Sequence, residues 1–339
     1  MATTLQQVAD LAGVSLATAS RVLNGSSRTP RPDVVHRVRT AARTLGYVAN
    51  AQAQALARSS TGLVGLVVHD IADPYFSSIA AGVQAAARHS SRQMLLATTN
   101  WDPGNEYEAI SAFMAYRTDA IILAGSLRVG IDSGQERLIE LCTSYTGNGG
   151  RVATIGQPVD GFASVTPRNA DGAAKLADAL LAAGHRRFAM VQGPSWLRTS
   201  IDRCEAFRAR IDAAEGASVE WSVHTDFNRD GAYTAAREQL AGTASTNQPK
   251  PLCIFATTDM MALGVLSAAR ELGLNVPGQV GIAGFDDIDT LRDSSPSLTT
   301  VQIDLDGMGR AAAQLVTSAE VVTREFDATP VLRESTRID

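Results

Sequence analysis

Apolar residues repeat at helical spacing from the start of the chain. Leu5, Val8, Ala9 and Ala12 fall at i, i+3, i+4 and i+7, which predicts one face of a short helix. Gly13 supplies the positive φ that ends it. Ser15 suits the N-cap of a second helix, because its hydroxyl accepts from a free first-turn N–H. Ala19, Val22 and Leu23 give that second helix a buried face of its own. Two short helices joined by a tight glycine turn predict a helix-turn-helix, whose second helix enters the DNA major groove. A third helix follows, with Pro32 in its first turn, Val35, Val38, Ala42 and Leu45 on one face, and Gly46 at its end.

Residues 48–58 are rich in alanine and glutamine. Helix propensity there is good, but core-forming side chains are almost absent. So short a helix is marginal in water and is expected to order only when something binds it.

From Gly62 the pattern changes to strand, then helix, repeated. Continuous apolar runs at 63–68, 94–97, 120–123, 152–155, 188–191, 252–256 and 280–283 predict buried strands. Amphipathic stretches lie between them, for example 77–89, 172–183 and 260–272. This alternation predicts parallel sheets covered on both faces. The strands are too many for one compact sheet, so two similar doubly wound lobes are expected. The predicted domains are 1–47, the helix-turn-helix; 48–61, a short helix and linker; and 62–339, a two-lobed domain.

Composition narrows the class. The chain has 339 residues, 45% hydrophobic and 19% charged, an ordinary globular profile. No apolar run reaches the length of a membrane span, and no signal peptide is read at the start; a cytoplasmic protein with no membrane partner is expected. Cys142, Cys204 and Cys253 suit buried free thiols. The formal net charge of −5 hides an asymmetry. Through residue 60 the basic residues are Arg21, Arg28, Arg31, Arg37, Arg39, Arg43 and Arg58, against only Asp10 and Asp33. A basic head on an acidic body fits one module facing phosphates.

The head resembles the lactose-repressor (LacI/GalR) family of bacterial transcriptional regulators. The matching residues are Val8-Ala9, Ala12-Gly13-Val14-Ser15, Thr18 and Ser20-Arg21-Val22-Leu23-Asn24-Gly25. The body matches as well, through Asp73-Pro74-Tyr75-Phe76, Gly184-His185-Arg186-Arg187, Arg203 before Phe207, Thr258 to Gly264, Gly284-Phe285-Asp286-Asp287 and Leu298-Thr299-Thr300-Val301. The resemblance implies a small helical head on a body similar to periplasmic sugar-binding proteins. It further implies a ligand cleft between two lobes, and a homodimer on a pseudo-palindromic operator. It also implies a hinge helix in the minor groove, with Leu56 as the wedging leucine and Asn50 and Ala53 at matching positions. Ala49 departs from the usual proline there, and Gln54 from the commoner arginine.

On the recognition helix, Leu16, Ala17 and Arg21 are the candidates for base edges. A guanidinium can bond guanine O6 and N7 bidentately; Leu16 and Ala17 can make only apolar contact. Thr4, Ser15, Thr18, Ser20 and Asn24 carry short polar groups suited to phosphates, and Ser15 reads equally as a plain helix cap. In the cleft the resemblance implies Asp73, Phe76, Arg203, Phe227 and Asp286 as effector ligands. Arg203 and Asp286 would bind hydroxyls, and aromatic faces would stack on a sugar. Arg168 stands where the family usually has an aspartate, and Ile303 replaces a common polar residue. An arginine there suits a carboxylate or phosphate, so the effector is expected to be a sugar, sugar acid or sugar phosphate. The alternative is that Arg168 pairs with a nearby acid and points away.

No enzyme motif stands out: no G-x-G-x-x-G after a strand, no P-loop, no serine elbow, no metal-ligand spacing. No cofactor is expected. A transport-type sugar-binding protein is the other reading, opposed by the DNA-binding head. The last residues, Leu332 to Asp339, carry no leucine heptads, which predicts a dimer rather than a tetramer.

Overall fold

The computed structural model describes residues 3–24, 30–48, 60–130, 134–241, 251–318 and 320–338. They form two compact units, Met1–Gly62 and Leu63–Asp339.

The first unit holds helices α1 (Leu5–Ala12), α2 (Leu16–Asn24) and α3 (Pro32–Thr44). Its core is small: Val8, Ala9, Ala12, Ala19, Val38, Ala41 and Ala42 are buried, with Leu5, Val22, Leu23 and Leu45 packed around them. Gly13 closes α1 at φ 63°. The hinge-helix positions Asn50, Ala53 and Leu56 lie outside the described residues.

The second unit is α/β. Its elements in chain order are β1 (Leu63–Val68), α4 (Pro74–His89), β2 (Gln93–Thr98), α5 (Pro103–Ala115), β3 (Ala120–Ala124), α6 (Gln135–Gly147), β4 (Arg151–Ile155), β5 (Ala163–Pro167), α7 (Asn169–Ala182), β6 (Arg187–Gln192), α8 (Arg198–Asp212), β7 (Ser218–His224), α9 (Arg229–Leu240), β8 (Leu252–Ala256), α10 (Asp259–Glu271), β9 (Val280–Ala283), β10 (Thr300–Gln302), α11 (Leu305–Leu315), β11 (Thr323–Phe326) and β12 (Thr329–Val331). The N-terminal lobe is a six-stranded sheet in the order β11-β5-β4-β3-β1-β2; the C-terminal lobe is a four-stranded sheet, β7-β6-β8-β9. Every pairing in both is parallel. Strands β10 and β12 pair separately and antiparallel.

Period 2 explains why continuous apolar strands are needed. Val64, Leu66 and Val68 of β1 face Phe76, Ile79 and Val83 of α4 and Met308 of α11. Val67 points the other way, into Ile110, Phe113, Cys142 and Tyr145 of α5 and α6. The C-terminal lobe repeats the scheme. Phe188 and Met190 meet α7 and α8, while Ala189 and Val191 meet α9 and α10. Both faces are covered, so each inward side chain contributes about 1.5–3 kcal/mol by leaving water. Helices α4 and α11 cross closely where Gly82 and Gly309 leave room. A Cβ on Gly82 would stand 2.1 Å from the Asp306 carbonyl oxygen.

All seven strands expected from apolar runs form. Five more do not show as apolar runs: β5, β7, β10, β11 and β12. Strand β7 is a sheet edge that alternates exposed and half-buried residues, so a search for continuous apolar runs passes over it. Strand β5 reads Ala-Ser-Val-Thr-Pro, and its Ser164 Oγ lies 2.9 Å from Thr154 Oγ1 on the neighbouring β4.

Candidate functional site

In the helical unit, Thr4 caps α1: its hydroxyl accepts from Gln7 N at 3.3 Å, and its own N–H donates to Gln7 Oε1 at 2.9 Å. Ser15 caps α2 by accepting from Thr18 N at 3.2 Å, and its hydroxyl lies 2.9 Å from that of Thr18. With its inner face held by Ala19, Val22 and Leu23, α2 turns Leu16, Ala17 and Arg21 outward, all exposed. Thr18 and Ser20 are half-buried. The predicted base-reading residues thus share one open helix face.

In the two-lobed unit a pocket opens between the lobes, lined by Asp73, Tyr75, Phe76, Trp101, Gly125, Ser126, Thr199, Arg203, Phe227, Thr258 and Asp286. Each residue sits just past the carboxyl end of a strand or in the first turns of the helix that follows, where open parallel sheets bind ligands. Asp73 caps α4 and accepts from Tyr75 N at 2.9 Å. Phe76, Trp101 and Phe227 form an aromatic wall, with Trp101 edge-on to Phe227 at 5.6 Å and to Phe76 at 6.2 Å between centroids. Behind it, His69 stacks on Trp101 at 3.7 Å.

Arg203 is 1% exposed and organises the opposite wall. Its Nη2 donates to Asp286 Oδ1 at 2.8 Å, Nε to Asn169 Oδ1 at 2.9 Å and Nη1 to the Thr257 carbonyl at 2.9 Å. Its guanidinium lies 3.8 Å from the centroid of the Phe285 ring, a cation–π contact. Asp286 stands at φ 117° and Asp287 at φ 54°, a region that costs non-glycine residues about 1–3 kcal/mol. The turn separates the two acids. Asp286 faces Arg203, while Asp287 pairs with Arg333 and, at 3.8 Å, with Arg292.

Burial sets the electrostatics. It pushes the Asp286 carboxyl above the ordinary carboxylate range, while Arg203 pulls it back. Asp259, fully buried behind Asp286, is raised strongly by burial and then by that neighbouring carboxylate. Burial raises Asp73 to about 6, and His69 falls to about 3, again chiefly through burial. The pocket therefore offers carboxylates that accept hydroxyl hydrogens, a guanidinium already paired, and flat aromatic faces.

Five of the six predicted effector residues meet here: Asp73, Phe76, Arg203, Phe227 and Asp286. Arg168 does not join them. Its side chain is about half exposed and grips Glu325 Oε2 at 3.0 and 2.7 Å and Asp327 at 3.4 Å. The two acids on and after β11 give it a partner outside the pocket. Trp101 went unpredicted; its one signal is an aromatic residue just after an apolar strand. Gln157 also went unpredicted. It donates to Thr199 Oγ1 at 2.9 Å and accepts from Leu127 N at 3.0 Å. Beside it, Thr199 N donates to Ser126 Oγ at 3.0 Å and Arg198 N to the Leu127 carbonyl at 3.0 Å. These bonds clasp the two lobes together.

A helix-turn-helix and a two-lobed cleft with an aromatic wall and a buried arginine–aspartate pair define a class: regulators that bind DNA and respond to a small ligand. Residues 4–50 match the description "Bacterial regulatory proteins, lacI family", and residues 177–338 match "Periplasmic binding protein-like domain". The chain is 32% identical over 320 residues to the HTH-type transcriptional regulator CelR of Thermobifida fusca, covering 92% of this chain and 90% of that one. The solved transcriptional regulator CelR–cellobiose complex superposes with a TM-score of 0.68 at 27% identity, over 98% of this chain and 99% of that one. The lac repressor dimer bound to operator and the anti-inducer ONPF shares the fold, with a TM-score of 0.82 at 22% identity over the full length of both chains. The chain belongs to the lacI family of bacterial regulatory proteins, and is a ligand-responsive, DNA-binding transcriptional regulator. No helix among the described residues is long and apolar enough to cross a membrane.

Proposed function

We propose that this regulator represses carbohydrate-related genes, binding a pseudo-palindromic operator as a homodimer and answering to a neutral sugar held between its lobes. The observation that carries the reading is the buried Arg203–Asp286 pair facing the aromatic wall of Phe76, Trp101 and Phe227. Sugar rings present hydroxyls at the edge and apolar C–H groups on the face, and this pocket offers one partner for each. Arg203 is already neutralised by Asp286, and Arg168 by Glu325 and Asp327. Neither supplies a spare positive charge for a phosphate. The cellobiose held by the CelR relative supports a carbohydrate. The chain begins the cleft at residue 63 and carries the head before it, so we take 1–47 as the DNA-binding domain, 48–61 as hinge and linker, and 62–339 as the effector domain.

On the DNA side, Thr4, Ser15, Thr18, Ser20 and Asn24 contact phosphates and position the head, while Arg21, Leu16 and Ala17 read bases. Asn50, Ala53 and Leu56 serve the minor groove. Arg21→Ala should cost about 1–3 kcal/mol at the operator and relax the preference for one guanine per half-site. Selection of binding sites from random DNA, followed by anisotropy titration of both proteins, checks this. Equal losses on the selected and random sequences would reduce Arg21 to a phosphate contact. On the effector side, calorimetry with neutral sugars, sugar acids and sugar phosphates tests the reading. Tight binding of a phosphate with no neutral sugar bound contradicts it.

A further inference from the structure

The stretch that leaves β3 pairs with the other lobe. Arg128 and Leu197 stand opposite each other as an antiparallel β-bridge. Val129 N donates to the Trp196 carbonyl at 2.8 Å, and Arg198 N donates back to the Leu127 carbonyl at 3.0 Å. Leu197 is fully buried. It caps α8, the helix that carries Arg203. The backbone of Arg128 therefore belongs to a short ladder between the lobes, at the start of the helix that holds the polar wall.

The side chain of Arg128 turns back to the N-terminal lobe. Its Nη2 donates to the Trp101 carbonyl and lies 3.5 Å from Glu106 Oε1. Its guanidinium also stands 5.2 Å from the centroid of the Trp196 ring. The side chain is only 13% exposed, and a charge-assisted bond shielded from water is stronger than one at the surface. Trp101 needs such a partner. It stands with Asn100 at positive φ, a conformation that non-glycine residues keep only where their surroundings over-determine it. His69 stacks on the Trp101 ring, and the Arg128 guanidinium holds the carbonyl of the same residue.

We propose that Arg128 is a positioning residue of the effector site, one that ties the approach of the two lobes to the placement of the Trp101 ring in the pocket. Its backbone follows the ladder, and its guanidinium sets the turn that aims the ring. That the ring meets a sugar rests on the reading above; the tie between lobe and ring does not.

Tryptophan emission of the full chain, measured without effector, is the test. The chain has three tryptophans. Trp196→Phe with Trp221→Phe leaves Trp101 as the reporter; Trp101→Phe with Trp196→Phe leaves Trp221 as a control on the C-terminal lobe. In the first background Arg128→Met should raise acrylamide quenching of Trp101 about twofold or more, because local opening exposes the ring. Quenching of Trp221 in the second background should not change. Arg198→Pro loosens the ladder from the other lobe. Proline is tolerated at the first position of a helix, but it has no N–H to give the Leu127 carbonyl. It too should raise Trp101 quenching, by a smaller factor. If circular dichroism shows that Arg128→Met does not fold, Arg198→Pro decides. Unchanged Trp101 quenching in either folded variant, or equal rises at Trp101 and Trp221, would overturn the proposal. If Trp101 responds as expected while no neutral sugar binds the wild type, the tie stands and only the sugar reading falls.

Discussion

The two walls of the cleft solve one problem differently. On the C-terminal lobe, Arg203, Asp286 and Asn169 form a buried, bonded polar cluster, with Asp259 buried close by. On the N-terminal lobe, Phe76, Trp101 and His69 form a stacked aromatic layer, with Asp73 as the acid at its edge and Phe227 of the other lobe edge-on to Trp101. Both walls rest on the same backbone device. Asn100 and Trp101 after β2, and Asp286 and Asp287 after β9, each form a two-residue turn at positive φ. One turn aims an aromatic ring into the pocket, the other a carboxylate. The difference teaches how labour is divided: the polar wall is fixed by bonds made in folding and suits hydroxyls, while the aromatic wall suits the apolar faces of rings.

The largest effect should come from breaking the polar wall. Arg203→Met leaves Asp286 and Asn169 buried without their main partner. Loss of one member of a buried pair costs about 3–5 kcal/mol, and urea unfolding of the full chain reads it. A loss below about 1 kcal/mol would mean that the cluster rearranges freely.

Asp73 sharpens the contrast through pH. Its folded-state value of about 6 stands above the model-peptide 3.8, so between those pH values the folded state binds more protons than the unfolded. Stability then falls as pH rises from about 4 to about 6, and is flat above that window. A shift of two pKa steps corresponds to about 3 kcal/mol. Asp73→Asn keeps a good N-cap for α4 but has no such titration. The wild type should therefore be closest to the variant near pH 4 and fall steadily relative to it through the window. A constant difference from pH 4 to 7 would show that Asp73 titrates normally.

Trp101→Ala tests the aromatic wall. Effector affinity should fall by about 1–2 kcal/mol from lost area and ring contact, with operator affinity in the absence of effector unchanged. The smallest effect belongs to Arg168. Its ion pairs with Glu325 and Asp327 are solvent-exposed, and such pairs are worth little. Arg168→Ala should leave both the unfolding midpoint and the effector affinity where they were. A marked loss of affinity would return Arg168 to the binding site.

Much of this was legible in the sequence because the pattern and the chemistry coincide. Helix α2 and its cap follow from Ser15 and the spacing of Ala19, Val22 and Leu23. The seven apolar strands follow from burial on both faces. The polar wall followed from resemblance, since Arg203 and Asp286 are 83 residues apart and no local pattern joins them. Trp101 was missed because a non-glycine turn at positive φ leaves no mark in composition. The sequence left the pairing of Arg168 open because its partners, Glu325 and Asp327, arrive through β11, a short polar edge strand that periodicity does not reveal.

The central claim is that a neutral sugar between these two walls governs DNA binding. Its most direct test is the operator affinity of the full-length protein, measured by anisotropy with and without each member of a panel of neutral sugars and their phosphates. At least one neutral sugar should change operator affinity by about 5–150-fold, the usual range of coupling between sites, and a folded Asp286→Asn variant should lose that response. If only phosphorylated sugars shift the operator curve, or if Asp286→Asn responds to the neutral sugar as fully as the wild type does, the account is wrong.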